Sequence, residues 1–423
     1  MTTRGTHAQA RMNFWTLPMP GRRHFLTLGL LTIVAVVGGG TPACSSTAAD
    51  ASSPAPLGFA VAASLDEFLG APALGPMHEL WEGRGGWGGV LTARDGTVIA
   101  FRSPGGGTCR RSRDGGATWD EEIVIGSDAN QGNALVDETT GEVLYFNPTR
   151  RWLYRSGDSG ATWARETIEV RPDGFGLVPG VEGVAAMQCG ITLAFGAHRG
   201  RLLSAARIMG PKDSNDVEWR PYHYSTAVWS DDRGKTWQVS KPFPVLGTGE
   251  AALAERSDGS VLYNSREHMS RGNRFLATSH DGGDLWIDAR RSAELPDGAR
   301  GTSYGLMGGM IRLPIAGRDV LLFSNADTDG GVMPGRVGAS IATAREKITV
   351  WASFDGGATW PVKRLVYDGP SAYSCLGVGR SGTPSQGRIF LIFEGGPKGP
   401  HAAVQIVSFN LAWLLDGRPV PAG

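Results

Sequence analysis

The chain has 423 residues, in which 41 Lys and Arg balance 41 Asp and Glu. That neutrality gives no electrostatic ground for binding DNA, RNA or an acidic membrane surface, so no nucleic-acid partner is expected. Glycine is unusually common at 62, beside 13 Trp and only 19% charged residues, a balance that suits an all-β chain with many tight connections.

Residues 1–44 read as an export signal. The twin arginines Arg22 and Arg23 precede an apolar run from Phe25 to Val37 and then small residues. RRHFL resembles a twin-arginine signal. TPAC, ending at Cys44, resembles a bacterial lipoprotein cleavage box, but Thr41 and Pro42 depart from its apolar-then-small start. A lipid anchor at Cys44 and an ordinary cleavable signal therefore both stand, and the protein is expected to be secreted or held at the bacterial cell surface. Beyond this segment no stretch is long and apolar enough to cross a membrane. Residues 45–75, rich in Ala, Ser and Pro, read as a flexible tether, leaving 76–423 as the folded domain. Cys109, Cys189 and Cys375 lack metal-ligand spacing and are expected to be separate buried thiols. No metal or cofactor is expected, and the chain is expected to work as a monomer.

One turn recurs five times along the folded part: SRDGGATW from Ser112, SGDSGATW from Ser156, SDDRGKTW from Ser230, SHDGGDLW from Ser279 and SFDGGATW from Ser353. The Asp carboxylate can accept hydrogen bonds from backbone N–H groups a few residues on, and the Gly supplies a positive φ. The Trp is expected to pack beneath the turn and pin it to a sheet. Between the copies run alternating apolar segments that end in turn residues, such as GTVIAFR, GEVLYFN, GSVLYNS and GRIFLIFE. About 340 residues from His78 to Gly417 accommodate six four-stranded antiparallel blades, and the uneven spacing of the turns predicts one blade without the motif.

These repeats resemble the Asp-boxes of the bacterial sialidase family, over nearly the whole chain beyond the signal. The resemblance implies a six-bladed β-propeller and gives the boxes a structural role only. Four further segments resemble the family's active-site segments in the same chain order. GTGEAALAERSDGSVLYNSR implies Glu250 as the base and Arg266 as a substrate-binding arginine; AREKITVWASFDGGATW implies Arg345 as another. GPSAYS implies Tyr373 as the nucleophile, and IFLIFEGG implies Glu394 as a carboxylate that steadies an arginine.

The residue types suit the chemistry of a sugar that carries a carboxylate on its anomeric carbon. Guanidinium groups bind that anion through forked hydrogen bonds that a lysine cannot match. A carboxylate nucleophile would be repelled there, whereas a neutral Tyr is not; such enzymes stand outside the two-carboxylate rule for retaining glycosidases. Tyr is a poor nucleophile near neutral pH unless a base such as Glu250 draws off its proton.

Two departures from the family pattern stand out. In WEGRGGWGGVLTARDGTVIAF the first arginine of the family's triad has only Arg84 as a near match, two residues early and without the usual Ile-Pro, while Arg94 lies in a turn. The loop SPGGGTC also carries no acid, since no carboxylate occurs between Asp95 and Asp114. Three explanations are open: an acid from the insertion PKDSNDVEWRPYHYS, with Asp213, Asp216, Glu218 and His223 available; a substrate whose leaving group needs no proton; or binding without cleavage. Tyr304 and GLMGGM could line such a pocket. The expected function is retaining release of a terminal acidic sugar from a glycan. The alternatives are a glycan-binding propeller, or an exo-glycosidase or lyase for another sugar.

Overall fold

A computed structural model describes residues 55–86, 88–171, 184–209, 220–269, 272–297, 306–327 and 345–422. Arg22, Arg23, Cys44, Asp213, Asp216, Glu218 and Tyr304 lie outside the described residues.

Among the described residues, regular structure is almost all β-strand. After β1 (His78–Glu82), an antiparallel sheet holds β2 (Val90–Thr92), β3 (Val98–Arg102), β4 (Gly107–Ser112) and β5 (Ile123–Gly126). A second holds β6 (Asn133–Asp137), β7 (Glu142–Asn147), β8 (Trp152–Ser156) and β9 (Ala164–Thr167). The third contains β10 (Glu169–Arg171), β11 (Ala185–Ala186), β12 (Ile191–Thr192), β13 (Leu202–Ile208), β14 (Tyr224–Ser230) and β15 (Thr236–Val239), with β10 added in parallel along β15. The fourth holds β16 (Thr248–Glu255), β17 (Val261–Glu267), β18 (Asn273–Ser279) and β19 (Ile287–Pro296).

The fifth sheet has seven strands: β20 (Gly309–Arg312), β21 (Leu321–Ala326), β22 (Glu346–Ser353), β23 (Val362–Val378), β24 (Ile389–Gly395) and β25 (Ala403–Phe409) in order, with β1 beside β25. Its size comes from β23, whose 17 residues pair with β22 through the first half and with β24 through the second. One long strand thus fuses two four-strand groups, which the sequence pattern treats as separate.

All five repeated turns follow a third strand, after β4, β8, β14, β18 and β22. In the first, Ser112 Oγ donates to Asp114 at 2.8 Å and accepts from Gly116 N at 2.8 Å, while the carboxylate takes Thr118 N at 2.9 Å and Thr118 Oγ1 at 2.5 Å. Burial slightly disfavours the Asp114 charge, but these hydrogen bonds, Thr118 foremost, draw its pKa down to about 2. In the fourth copy Leu285 offers only its backbone N–H, at 3.0 Å from Asp281.

The Trp does more than cover its own turn. Trp237 Nε1 donates back to Gly234 O at 2.9 Å, yet the ring stacks on Phe146 of the preceding sheet with centroids 4.2 Å apart. The glycine before it is equally constrained: at Gly283, with φ +92°, a Cβ would lie 2.5 Å from Leu203 on the neighbouring sheet. Each turn is therefore a joint between sheets as well as a hairpin lock.

Apolar clusters fill the spaces between successive strand groups. Phe101 and Ile99 meet Tyr145 and Val136; Leu144 and Phe146 meet Val228 and Trp237; Leu203 and Ala227 meet Leu253 and Tyr263. Leu262 and Leu276 then meet Leu321 and Phe323, and Leu322 and Val350 meet Leu391 and Val407. Finally Phe390 and Ile392 of β24 pack on Val98 and Ala100 of β3, returning to the first sheet. The group that ends in β25 carries a helix, α1 (Leu411–Leu415), where the others carry the repeated turn.

The expected tether is a correction. From Leu57 onward the segment packs on the sheets: Leu57 N donates to Ala194 O at 2.9 Å, Ala63 N to Pro314 O at 3.0 Å, and Phe68 is only 1% exposed. Its apolar residues Leu57, Phe59, Val61 and Phe68 supply the burial that an Ala/Ser/Pro reading overlooks.

Candidate active site

Two β-bulges build the site. Register slips between Thr248 and Ala251, where Glu250 sits on β16, and again between Ser371 and Ser374, where Tyr373 sits on β23. A bulge takes a side chain out of strict alternation and re-aims it. Arg266, on β17 opposite the first bulge, donates from Nη1 to Glu250 Oε2 at 2.5 Å. The other carboxylate oxygen accepts from the Tyr373 hydroxyl at 3.3 Å and lies 3.1 Å from Arg207 Nη1. Arg266 Nη1 also reaches the Tyr373 oxygen at 3.5 Å. Glu250, Arg266 and Arg207 are buried, and Tyr373 is half-buried.

Burial alone would push the Glu250 carboxyl upward. The Arg266 and Arg207 guanidiniums override it and hold the pKa well below the usual carboxylate range. Glu250 is thus an anion clamped between two cations, with the phenol as a third partner. His268, buried beside it, is pushed well below the ordinary histidine range by desolvation and then by Arg266, so it is neutral. Gly249 makes room for that ring, because a Cβ there would lie 2.2 Å from His268 Nε2.

A second chain of contacts borders the Tyr373 ring. Arg345 Cζ lies 5.5 Å from the ring centroid, and the His401 ring meets Tyr373 edge-on at 6.1 Å. Arg345 Nη1 is 2.9 Å from His401 Nε2. A guanidinium can only donate, which assigns the lone pair to Nε2 and the proton to Nδ1, facing Glu394 Oε2. Glu394 Oε1 accepts from Gly85 N at 2.9 Å and Gly86 N at 2.7 Å. Glu394 therefore steadies Arg345 through His401, and anchors the backbone after Arg84.

Five of the sequence-predicted residues, Glu250, Arg266, Arg345, Tyr373 and Glu394, meet here. Arg84 does not join them: its side chain is exposed, and its carbonyl accepts from Arg102 Nε at 3.1 Å. The residues beside it are held through backbone N–H groups, and it is the backbone that reaches the site. His223 is buried, edge-on against His268 with centroids 6.0 Å apart. Sequence reasoning missed Arg207 and His401. Arg207 had a readable signal, as the one charge in the strand LLSAARI, because a charge among such neighbours needs a buried partner. His401 lies in a turn, PKGPH, with no pattern to mark it.

The chain resembles known proteins in sequence and in fold. Residues 147–384 match the family model of the BNR repeat-like domain. The chain is 31% identical over 363 residues to a sialidase of Micromonospora viridifaciens, covering 77% of this chain and 50% of that protein. The chain belongs to the bacterial sialidase family. It spans about half the length of this curated relative. Among solved structures, the Hadza microbial sialidase Hz136 superposes with a TM-score of 0.59 at 23% identity, over 78% of this chain and 66% of that one. The intramolecular trans-sialidase of Ruminococcus gnavus, solved with oseltamivir carboxylate, gives 0.57 at 15% identity, over 79% and 95%. Both share the fold with this sialidase-family chain. Against the family pattern, the turn after β3 lacks a carboxylate: Ser103 Oγ donates instead to Gly132 O at 3.3 Å.

Proposed function

We propose that the chain is an exo-glycosidase that releases a terminal sialic acid from glycans with retention of configuration, outside the bacterial cytoplasm. The observation that carries this reading is the Tyr373 hydroxyl donating to Glu250, whose second oxygen is held by Arg266. In this mechanism Arg266 and Arg345 bind the sugar carboxylate. Tyr373 attacks the anomeric carbon and passes its proton to Glu250 while the aglycone leaves as an anion; water then cleaves the tyrosyl–sugar bond, its hydroxyl going to the sugar and its other proton to the released aglycone, as Glu250 returns the first proton to Tyr373.

A carboxylate clamped between two guanidiniums is a weak base. Binding of the sugar's anion to Arg266 diverts part of that positive charge, so Glu250 becomes a better proton acceptor once substrate is present. The site thereby couples recognition of the anion to activation of the phenol.

We read the scaffold as a six-bladed propeller of four-stranded blades, with β23 shared between the last two and β1 closing the sixth. In support, the repeated-turn glycines Gly160, Gly234, Gly283 and Gly357 each abut the preceding sheet, and Gly116 abuts Phe390 of β24. The second reading, a binding propeller, draws on the carboxylate-free loop after β3.

Rates on an aryl sialoside and on sialyllactose, using the full chain and its Tyr373→Phe variant, separate these readings. An aryl leaving group departs without protonation, whereas the natural glycoside needs an acid. Turnover of both substrates, lost in the variant, supports a sialidase with an acid from elsewhere. Turnover of the aryl substrate alone supports an enzyme without one. No turnover of either rejects hydrolysis of sialosides.

A further inference from the structure

Two of the three thiols expected to be solitary meet. Cys189, between β11 and β12, and Cys375, on β23, converge on Gly89: a Cβ there would lie 2.4 Å from Cys189 Sγ and 3.4 Å from Cys375 Sγ. The two thiols thus face one another across the space that Gly89 leaves open. Their neighbours are tied as well, since Gln188 Nε2 donates to Ser374 O at 2.8 Å, with Gln188 buried and held at φ +58°. Flanking backbone bonds fix the turn to two strands, Met187 N to Ala205 O at 2.7 Å and Gly190 N to Ala134 O at 2.8 Å.

Both cysteines line a cavity of about 360 Å³, shared with Leu91, Thr92, Leu253 and Met310. A small reagent fits that volume. Cys109 differs: it is buried elsewhere, its Sγ contacts Gly160 O at 3.8 Å, and burial raises its pKa to about 12. Glycine at 89 leaves the space that the two sulfurs occupy, and Tyr373 stands two residues along β23 from Cys375.

We propose that Cys189 and Cys375 form a redox-active pair, which closes to a disulfide joining the β11–β12 turn to the strand that carries Tyr373. The oxidant is a small-molecule disulfide entering the cavity. Cys375, drawn below the ordinary thiol range by the neighbouring Cys189, attacks as the thiolate. It displaces one thiol from the reagent and forms a mixed disulfide. Cys189, losing its own proton, then attacks the Cys375 sulfur and releases the second thiol. Two protein thiols give up two electrons and two protons, and the reagent's disulfide is reduced to two thiols. Closure constrains two segments far apart in sequence, which restricts the unfolded chain.

The full chain, purified and treated with cystamine, is quenched with iodoacetamide under denaturing conditions and mapped by tandem mass spectrometry. The expected result is one linked peptide pair, containing Cys189 and Cys375, with a protein mass lower by two hydrogens and Cys109 alkylated. Reduction should lower Tm by roughly 5–10 °C in the wild type and leave a Cys189→Ala variant unmoved. Alkylation of both Cys189 and Cys375 after cystamine treatment, or a link that uses Cys109, overturns the proposal. Neither readout depends on which sugar the protein takes.

Discussion

The repeated turns and the Glu250 cluster hold their carboxylates in opposite ways. In a turn such as the one at Asp158, every partner of the carboxylate lies within four residues, the group is at the surface, and neutral donors satisfy it. Glu250 is buried, its partners Arg207, Arg266 and Tyr373 come from three strands in three sheets, and two of them are charged. The first arrangement is local, so it can be copied five times and lose one side chain, as at Leu285, without losing its form. The second exists once and depends on the whole set of sheets. Local polar knots stabilise; in the proposed function, the non-local clamp of charges answers an arriving anion.

The largest effect that would sharpen this contrast belongs to the clamp. Tyr373→Phe should lower kcat for an aryl sialoside by on the order of 10³-fold, with KM within a few-fold and Tm unchanged, as read from steady-state kinetics and thermal unfolding. A variant that keeps its kcat would break the comparison at its strongest point.

The two ends of β16 offer the next test. Glu255 is buried and accepts from Ala194 N at 2.6 Å and Phe195 N at 3.0 Å, but burial dominates and raises its pKa to about 7. A carboxyl whose pKa is raised on folding stabilises the protonated folded state, and that contribution is lost as pH rises from the ordinary carboxylate value toward 7. Stability should therefore fall by about 2–3 kcal/mol over that window in denaturant titrations, and Glu255→Gln should flatten the profile. Glu250 runs the other way: its lowered pKa keeps it ionised throughout the same window, so its contribution is lost only under stronger acid.

Smaller effects belong to the turn and to the support of Arg345. Asp158→Ala should cost about 1–2 kcal/mol in denaturant unfolding while kcat is retained, since the knot touches no part of the site. His401→Ala should raise KM roughly fivefold with kcat nearly unchanged, and His401→Gln, which can present an acceptor to Arg345, should recover most of the loss. Equal losses in both His401 variants would contradict a role exercised through that acceptor.

What was legible in the sequence follows the same division. The turns announce themselves because Ser, Asp, Gly and Trp act within eight residues, and the strands because apolar alternation has a period of two. Glu250, Arg266, Arg345, Tyr373 and Glu394 were legible only through resemblance to a family, since no spacing in one chain reveals that residues 250 and 373 touch. His401 and the meeting of Cys189 with Cys375 were hidden for the same reason: turns and sheet-to-sheet approaches leave no periodic trace. The Leu57–Phe68 segment was misread because the Ala, Ser and Pro of residues 45–56 set the composition of the whole stretch and masked its own apolar residues.

The most direct measurement is to trap the sugar on the enzyme. The full chain is incubated with a 3-fluorosialosyl fluoride, whose ring fluorine slows the second step, and then digested and mapped by mass spectrometry. The account expects a sialosyl adduct on the peptide bearing Tyr373, absent from Tyr373→Phe. Turnover of an aryl sialoside with no adduct, or an adduct on another residue, would contradict it.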